Sequence, residues 1–325
     1  MTSGTDDSRP AEPPAIEAAD RPGAIEAVAV RHPGRWVAIA VLAVLLAMFV
    51  HLVVTNKEFD WDFVFQAMNQ SPVIEGLVKG TLLVTVLSMV VGVGGGVVLA
   101  VMRLSDNPIL SGVAWLFTWF FRSVPRYILL FTMATLGILF QDGLSFGFPF
   151  DWKIIEWLGM SGDWRFLTLD ANQVFTGVVA GVLGLGLSEA AYMAEIARAG
   201  IMSVDKGQLE AAEALGMSRG KAMRRVVLPQ AMRVIVPPTG NETIAMLKDT
   251  SLLIAVPVTT ELFYQLQSIG SLYYKTFPVA VAATLYYLAA TSVLMVGQYF
   301  LERHFGKGFG TKAPRAARPA GAGGA

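Results

Sequence analysis

Apolar residues in this chain come in long blocks rather than in the alternating or every-third-residue patterns of soluble elements. The clearest block covers residues 36–54 and holds no charge. As a helix it rises roughly 28 Å, which with its flanks crosses a bilayer core of about 30 Å. Further blocks at 77–102, 127–140, 173–198, 226–253 and 278–300 predict five more spans, hence an all-α integral membrane fold of about six transmembrane helices. Two of them carry small-residue faces suited to close helix packing in lipid: Gly92 to Gly96 in the second, and Gly177, Gly181, Gly184 and Gly186 in the fourth. The fifth is the poorest. Pro237-Pro238 is expected to break its helix, and Asn241-Glu242-Thr243 falls beside that break, near mid-membrane.

The segments between the blocks assign a topology. Basic residues favour the cytoplasmic side. Nineteen of the 25 Lys and Arg lie in segments placed inside, and five (Lys57, Lys79, Lys153, Arg165 and Lys275) in segments placed outside, with Lys248 unassigned. Both termini are therefore expected in the cytoplasm, and Phe121-Arg122-Ser123-Val124-Pro125-Arg126 is expected at the cytoplasmic start of the third span. Residues 56–72 read as an external loop with interface aromatics Trp61, Phe63 and Phe65. The loop at 141–172 is acidic, and a short amphipathic helix near 152–158 could rest on the membrane surface or touch an external protein.

Composition adds exclusions. Charged residues make up 15% of the chain, against about 25% in soluble proteins. The net charge is zero, so there is no electrostatic footprint for nucleic acid. With no cysteine and three histidines there are no disulfides and no metal site is expected; no cofactor is expected either. Residues 1–30 are rich in Ala, Pro, Asp and Glu and read as a disordered cytoplasmic tail, as do residues 302–325. The long acidic lead is unlike a signal peptide.

Polar groups inside spans are costly and mark pathways or partners. Glu189, counted from the start of the fourth span, lies roughly 22 Å along it; it faces either a cavity or a structural ion-pair partner. Asn241, Glu242, Thr243, Lys248 and Thr250 are candidate pathway residues, because polar groups at a helix discontinuity near the midplane mark transport sites. Glu242 could meet a substrate ammonium and Lys248 a carboxylate. The competing reading is that they lock a subunit interface.

One stretch is not hydrophobic enough to span. Gly207-Gln208-Leu209-Glu210-Ala211-Ala212-Glu213-Ala214-Leu215-Gly216 reads as a short helix stopped at Gly216, a good C-cap residue. Leu209, Ala212 and Leu215 fall at i, i+3 and i+6, on one face. Arg198, Lys206, Arg219, Lys221, Arg224, Arg225 and Arg233 surround it, which places it in the cytoplasm.

Glu210-Ala211-Ala212, Gly216 and then Leu228-Pro229-Gln230-Ala231 resemble the EAA loop of ABC importer permeases. The likeness continues through Gly200-Ile201, Ser203-Val204, Pro237-Pro238, Asn241-Glu242 and Lys248-Asp249-Thr250-Ser251-Leu252. It is specifically similar to the polar amino acid branch, the histidine/glutamine/glutamate/arginine permeases. Phe121-Arg122 with Pro125 resembles that family's Phe-Arg-Gly-Thr-Pro, with Ser123 and Val124 in place of Gly and Thr, and Leu129 stands where the family usually has Gln. The resemblance implies a type I importer core of five helices over 77–301, with residues 31–76 added as an extra N-terminal helix and external loop. It implies that Gly207, Glu210, Ala211, Ala212, Leu215 and Gly216, within a coupling loop at 199–233, dock on an ABC ATPase dimer. It further implies an extracellular or periplasmic amino-acid-binding protein, a second permease subunit as homo- or heterodimer, a lipid surround, a bacterial inner-membrane location and a glutamate- or glutamine-like substrate. The nearest approach to a P-loop, Gly216-Met217-Ser218-Arg219-Gly220-Lys221-Ala222, has the wrong spacing and Ala where Ser or Thr must meet magnesium. The chain is thus expected to be no enzyme itself. The alternatives are an ion-coupled secondary transporter using Glu189 and Glu242, a non-transporting membrane scaffold or receptor, or an ABC permease for another small polar solute.

Overall fold

The computed structural model describes residues 33–140, 143–175, 177–256 and 258–306. The expected tails at 1–30 and from 307 onward lie outside these, while 302–306 complete the last helix. Two compact units divide at Asn56/Lys57. The first contains α1 (Pro33–Thr55), apolar around its circumference, as a lipid-facing span requires. The second begins twenty residues before the expected core boundary at 77, because residues 57–76 do not loop out. They form α2 (Trp61–Met68), which packs on the final helix. Phe63, Val64 and Ala67 are buried in a cluster with Leu262, Leu266 and Val279. Phe63 is therefore a core residue rather than an interface aromatic; Phe65 is exposed as expected.

The longer helices that follow are α3 (Ser71–Arg103), α4 (Pro108–Ser123), α5 (Arg126–Leu139), α6 (Asp151–Leu158), α7 (Gly177–Met202), α8 (Lys206–Ala214), α9 (Leu228–Asp249), α10 (Leu262–Tyr273) and α11 (Thr276–Phe305). Among the described residues, four helices are long and apolar enough to cross a membrane: α1, α3, α7 and α11. The other two expected spans are α5 and α9. The 14 residues of α5 give about 21 Å, short of a full crossing, and α9 is long enough but polar. The loop at 143–170 contains the expected helix, α6, and also an unexpected hairpin: β1 (Leu144–Gly147) pairs antiparallel with β2 (Arg165–Leu169), Leu144 opposite Leu169.

Local chemistry sets several boundaries. Asn107 accepts from the Ile109 N–H at 2.9 Å while Pro108 takes the first turn, so α4 starts there. A π-helical turn at Gly76–Leu82 brings α3 onto the loop before α10. A Cβ at Gly80 would lie 2.1 Å from the Thr260 carbonyl, so only glycine admits this approach. The expected break at Pro237-Pro238 does not occur: both prolines sit inside continuous α9. Each removes one intrahelical donor, but neighbouring groups hold the helix together. Thr239 and Thr243 donate to the Ile235 and Thr239 carbonyls at 2.8 and 2.9 Å, and Gln298 Nε2 on α11 donates to the Pro237 carbonyl at 2.8 Å.

The core of the larger unit is the α3–α7 pair, in contact along most of its length. Apolar burial drives little between helices in lipid, so close packing carries the association. A Cβ at Gly96 would meet Met193 Cβ at 2.3 Å, and one at Gly92 would meet Glu189 Cγ at 2.5 Å. The Gly92 to Gly96 face read from the sequence lies in this seam; of the fourth-span glycines only Gly186 joins it, against Val91, whereas Gly181 packs on Leu253 and Gly184 on Leu130. Around it, Val84, Met89, Leu130, Leu185, Met246 and Leu253 form a second buried cluster.

Candidate functional site

Inside the α3–α7 seam the side chain of Glu189 is wholly buried. It stands midway along α7, and Gly92 supplies the room for it. Its partner comes from α5. Arg126, the first residue of that helix, extends its guanidinium to Glu189 Oε2 at 2.8 Å. The other guanidinium arm bonds Asp249, the last residue of α9. Glu242 approaches the same guanidinium at 3.8 Å. Glu242 and Asp249 are seven residues apart, two turns of one helix face, so α9 presents both to Arg126. Tyr192, one turn after Glu189, lays its ring 5.0 Å from the guanidinium carbon of Arg126, a cation–π distance.

The arrangement has one cation and three carboxylates. If all are ionised its formal charge is negative by two, and its parts are unequally committed. Glu189 Oε2 and Asp249 are bonded to Arg126. Among the described residues Glu189 Oε1 is buried without a hydrogen-bond partner, and Glu242, about a quarter exposed, is the most loosely held. A positively charged group entering beside Glu242 would offset part of the negative surplus.

The sequence-derived candidates separate in space. Glu189 and Glu242 are brought together. Asn241 points to the exposed side of α9, and Lys248 is exposed as well. Thr243 lines an apolar groove between α3, α7, α9 and α11, of about 790 Å³. Thr250 is buried, its hydroxyl donating to the Leu247 carbonyl at 2.8 Å, a bond that serves the helix end. Arg126 and Asp249 are the members sequence reasoning missed. Arg126 had been assigned to a cytoplasmic helix start, yet its partner lies at the middle of α7. The i, i+7 spacing of Glu242 and Asp249 was the available signal. Leu129, at the position of the usual Gln, is buried.

A second polar centre surrounds Glu261, also wholly buried. Its Oε1 accepts from the Thr81 hydroxyl at 2.8 Å and the Tyr287 hydroxyl at 2.7 Å; its Oε2 accepts from the Phe263 and Tyr264 N–H groups at 2.7 and 3.2 Å, capping α10. Outside the spans, Lys275 bonds Asp60, and this bond holds the Asp60 carboxyl below its ordinary value of 3.8.

The short helix α8 forms where the sequence places it. Asp205 caps it, accepting from the Gly207 N–H at 2.7 Å. Gly216 ends it with φ of +79°, its N–H donating to Glu213 and that of Met217 to Ala212, a Schellman turn. The single apolar face expected for Leu209, Ala212 and Leu215 does not form. Ala212 is buried towards the π-helical turn Met223–Val227, whereas Leu215, beyond the last helical residue, is 85% exposed. Gly207, Glu210, Ala211 and Gly216 are exposed beside it. Among the described residues no cluster could hold a metal ion.

Comparison with known proteins places the chain among transport proteins of the membrane. The profile of the family described as "Binding-protein-dependent transport system inner membrane component" matches residues 92–307. The arginine transport system permease protein ArgU of Corynebacterium glutamicum is 43% identical over 289 residues, 89% of this chain and 85% of that protein. The glutamate/aspartate import permease protein GltK of Escherichia coli is 34% identical over 60% of this chain and 76% of its own length. The crystal structure of an amino acid ABC transporter with histidines superposes with a TM-score of 0.53 and 31% identity, covering 72% of this chain and 94% of that one.

Proposed function

The chain belongs to the family of binding-protein-dependent transport system inner membrane components, and from that membership we propose that it is the permease subunit of an ATP-driven importer of amino acids in a bacterial plasma membrane. ATP is hydrolysed on a separate pair of ATPase subunits. An external binding protein delivers the substrate, and a second permease subunit completes the pathway. Both termini lie in the cytoplasm, α1 is an addition to the importer core, and α8 is the coupling helix. The observation that carries the coupling role is the exposure of Glu210 and Ala211 on one short capped helix and of the bare Leu215 side chain at its C-cap. An exposed leucine beside a carboxylate suits a docking groove with an apolar floor and a polar rim.

Arg126, Glu189, Glu242 and Asp249 form the pathway centre. Their surplus of carboxylates favours an amino acid with a positive side chain, in keeping with an arginine permease as a close relative. Glu242, held at 3.8 Å, exchanges Arg126 for the substrate cation as the carrier turns from its outward to its inward state.

Uptake of labelled amino acids into vesicles containing permease, ATPase and binding protein tests both parts. Glu210→Ala is expected to abolish ATP-dependent uptake while ATP hydrolysis persists, and arginine or lysine to be retained in preference to glutamate. Full uptake by the variant, or uptake driven by an ion gradient without ATP, overturns the importer reading. Preferential retention of glutamate overturns the cationic-substrate reading alone.

A further inference from the structure

A polar cavity of about 410 Å³ opens between the last turns of α3 and α4 and the middle of α7, apart from the Arg126 centre. Arg103 and Arg122 reach into it from the two helix ends, and Glu195 from α7 is the only carboxylate in its wall among the described residues. Glu195 is already committed. Arg198 bonds it at 2.7 and 3.0 Å, whereas Arg103 reaches it only at 3.6 Å and keeps a buried Nε without a partner. Arg122 lies over the Tyr192 ring at 5.4 Å and, among the described residues, has no carboxylate within ion-pair distance. The cavity therefore has an excess of positive charge and planar forks suited to bidentate recognition of phosphate.

Its rim is aromatic. Trp115 and Trp119 stack with centroids 6.2 Å apart, and each is about half exposed. The pair runs from the middle of α4 toward its C-terminal end, and half-exposed indoles on a spanning helix favour the headgroup level of a bilayer. The outward side of α4 continues the wall with exposed Ile109, Val113, Leu116 and Phe120, an apolar surface along which acyl chains can lie. We propose that the cavity walled by Arg103, Arg122, Trp115 and Trp119 binds the phosphate headgroup of an anionic phospholipid, with its chains along α4. Basic cavities between spanning helices recognise lipid headgroups in this way. Tyr192 is shared: the same ring faces Arg122 at the cavity and Arg126 at the pathway centre, so an occupied cavity fixes one wall of that centre.

The test is a titration of the full-length chain, purified in a zwitterionic detergent, with phosphatidylglycerol carrying a fluorescent acyl chain. One saturable site is expected, with phosphatidylcholine binding much more weakly. Arg122→Gln is expected to weaken phosphatidylglycerol binding about tenfold or more, the loss of one charge-assisted contact, while Arg122→Lys restores part of it. Trp119→Ala, which removes a half-exposed ring, keeps the fold and lowers affinity several-fold. Binding that is unchanged in both Arg122→Gln and Trp119→Ala, or equal for the two lipids, overturns the proposal. Displacement of the labelled lipid by millimolar inorganic phosphate assigns the cavity to a free anion and overturns the lipid as its occupant.

Discussion

Glu189 and Glu261 are both wholly buried carboxylates in a membrane protein, yet their surroundings differ in kind. Glu261 receives four hydrogen bonds, two on each oxygen, from hydroxyls and backbone N–H groups on three parts of the chain. Every donor is neutral and every lone-pair direction is taken. Glu189 faces a cation, shares it with two other acids, and retains an oxygen with no partner. The first arrangement is complete and stabilises one packing of α3, α10 and α11. The second is held by a charge that it shares with two other acids. Two equally buried carboxylates thus differ in how they are held, and the role proposed for Glu189 rests on that difference.

Substitutions can break that distinction. The largest effect is expected from Arg126→Met, which strands Glu189, Glu242 and Asp249 without a counter-charge. Removing one partner of a buried pair costs about 3–5 kcal/mol, read as a large drop in thermal unfolding temperature in detergent together with loss of uptake. Glu261→Ala follows. It orphans four donors and removes a helix cap, for about 2–4 kcal/mol, and its uptake per folded molecule stays normal. The conservative pair is sharper. Glu261→Gln turns an amide N–H₂ toward groups that also donate and costs about 1–2 kcal/mol with transport intact. Glu189→Gln and Glu242→Gln leave Arg126 paired with the remaining carboxylates and so cost less stability than Arg126→Met, yet reduce uptake of a cationic substrate at least tenfold. If Glu189→Gln transports normally, the two carboxylates are of one kind. The smallest effect concerns Asp60, whose folded value lies below 3.8 because Lys275 bonds it. A depressed carboxyl contributes stability above its unfolded value and loses it as pH falls through the folded one. Asp60→Asn is therefore expected to lower the unfolding temperature slightly at neutral pH, and the difference from wild type to vanish once the pH is well below 3.8.

Much of this was legible in the residues. Blocks of apolar sequence placed the long spans, and the Gly92 to Gly96 spacing marked the α3 side of the α3–α7 seam. Gly216 marked the end of α8, whereas its cap Asp205 emerged only from the structure. What was not legible depended on contacts distant in sequence. Pro237-Pro238 signals a break, but Gln298, some sixty residues later, supplies a bond that helps keep the helix whole. Arg126 next to Pro125 resembles an ordinary basic flank, and only the fold carries it to Glu189. Residues 57–76 contain aromatics that suit an interface, and the partners that bury Phe63 lie some two hundred residues on. The hairpin escaped because four- and five-residue strands leave little periodicity to read.

The seam at Gly92 has a consequence for heredity. Any side chain there collides with the stem of Glu189, so the two codons are not free to drift separately. A Cβ at 92 would lie 2.7 Å from the Cβ of residue 189 as well as 2.5 Å from its Cγ, so a mutation at 92 becomes tolerable only where 189 has itself become glycine or the helices have moved apart, and either change disturbs the carboxylate that meets Arg126. Selection on transport is thereby also selection on an apparently inert glycine, and a lineage that leaves this pair must cross an intermediate defective in one or the other.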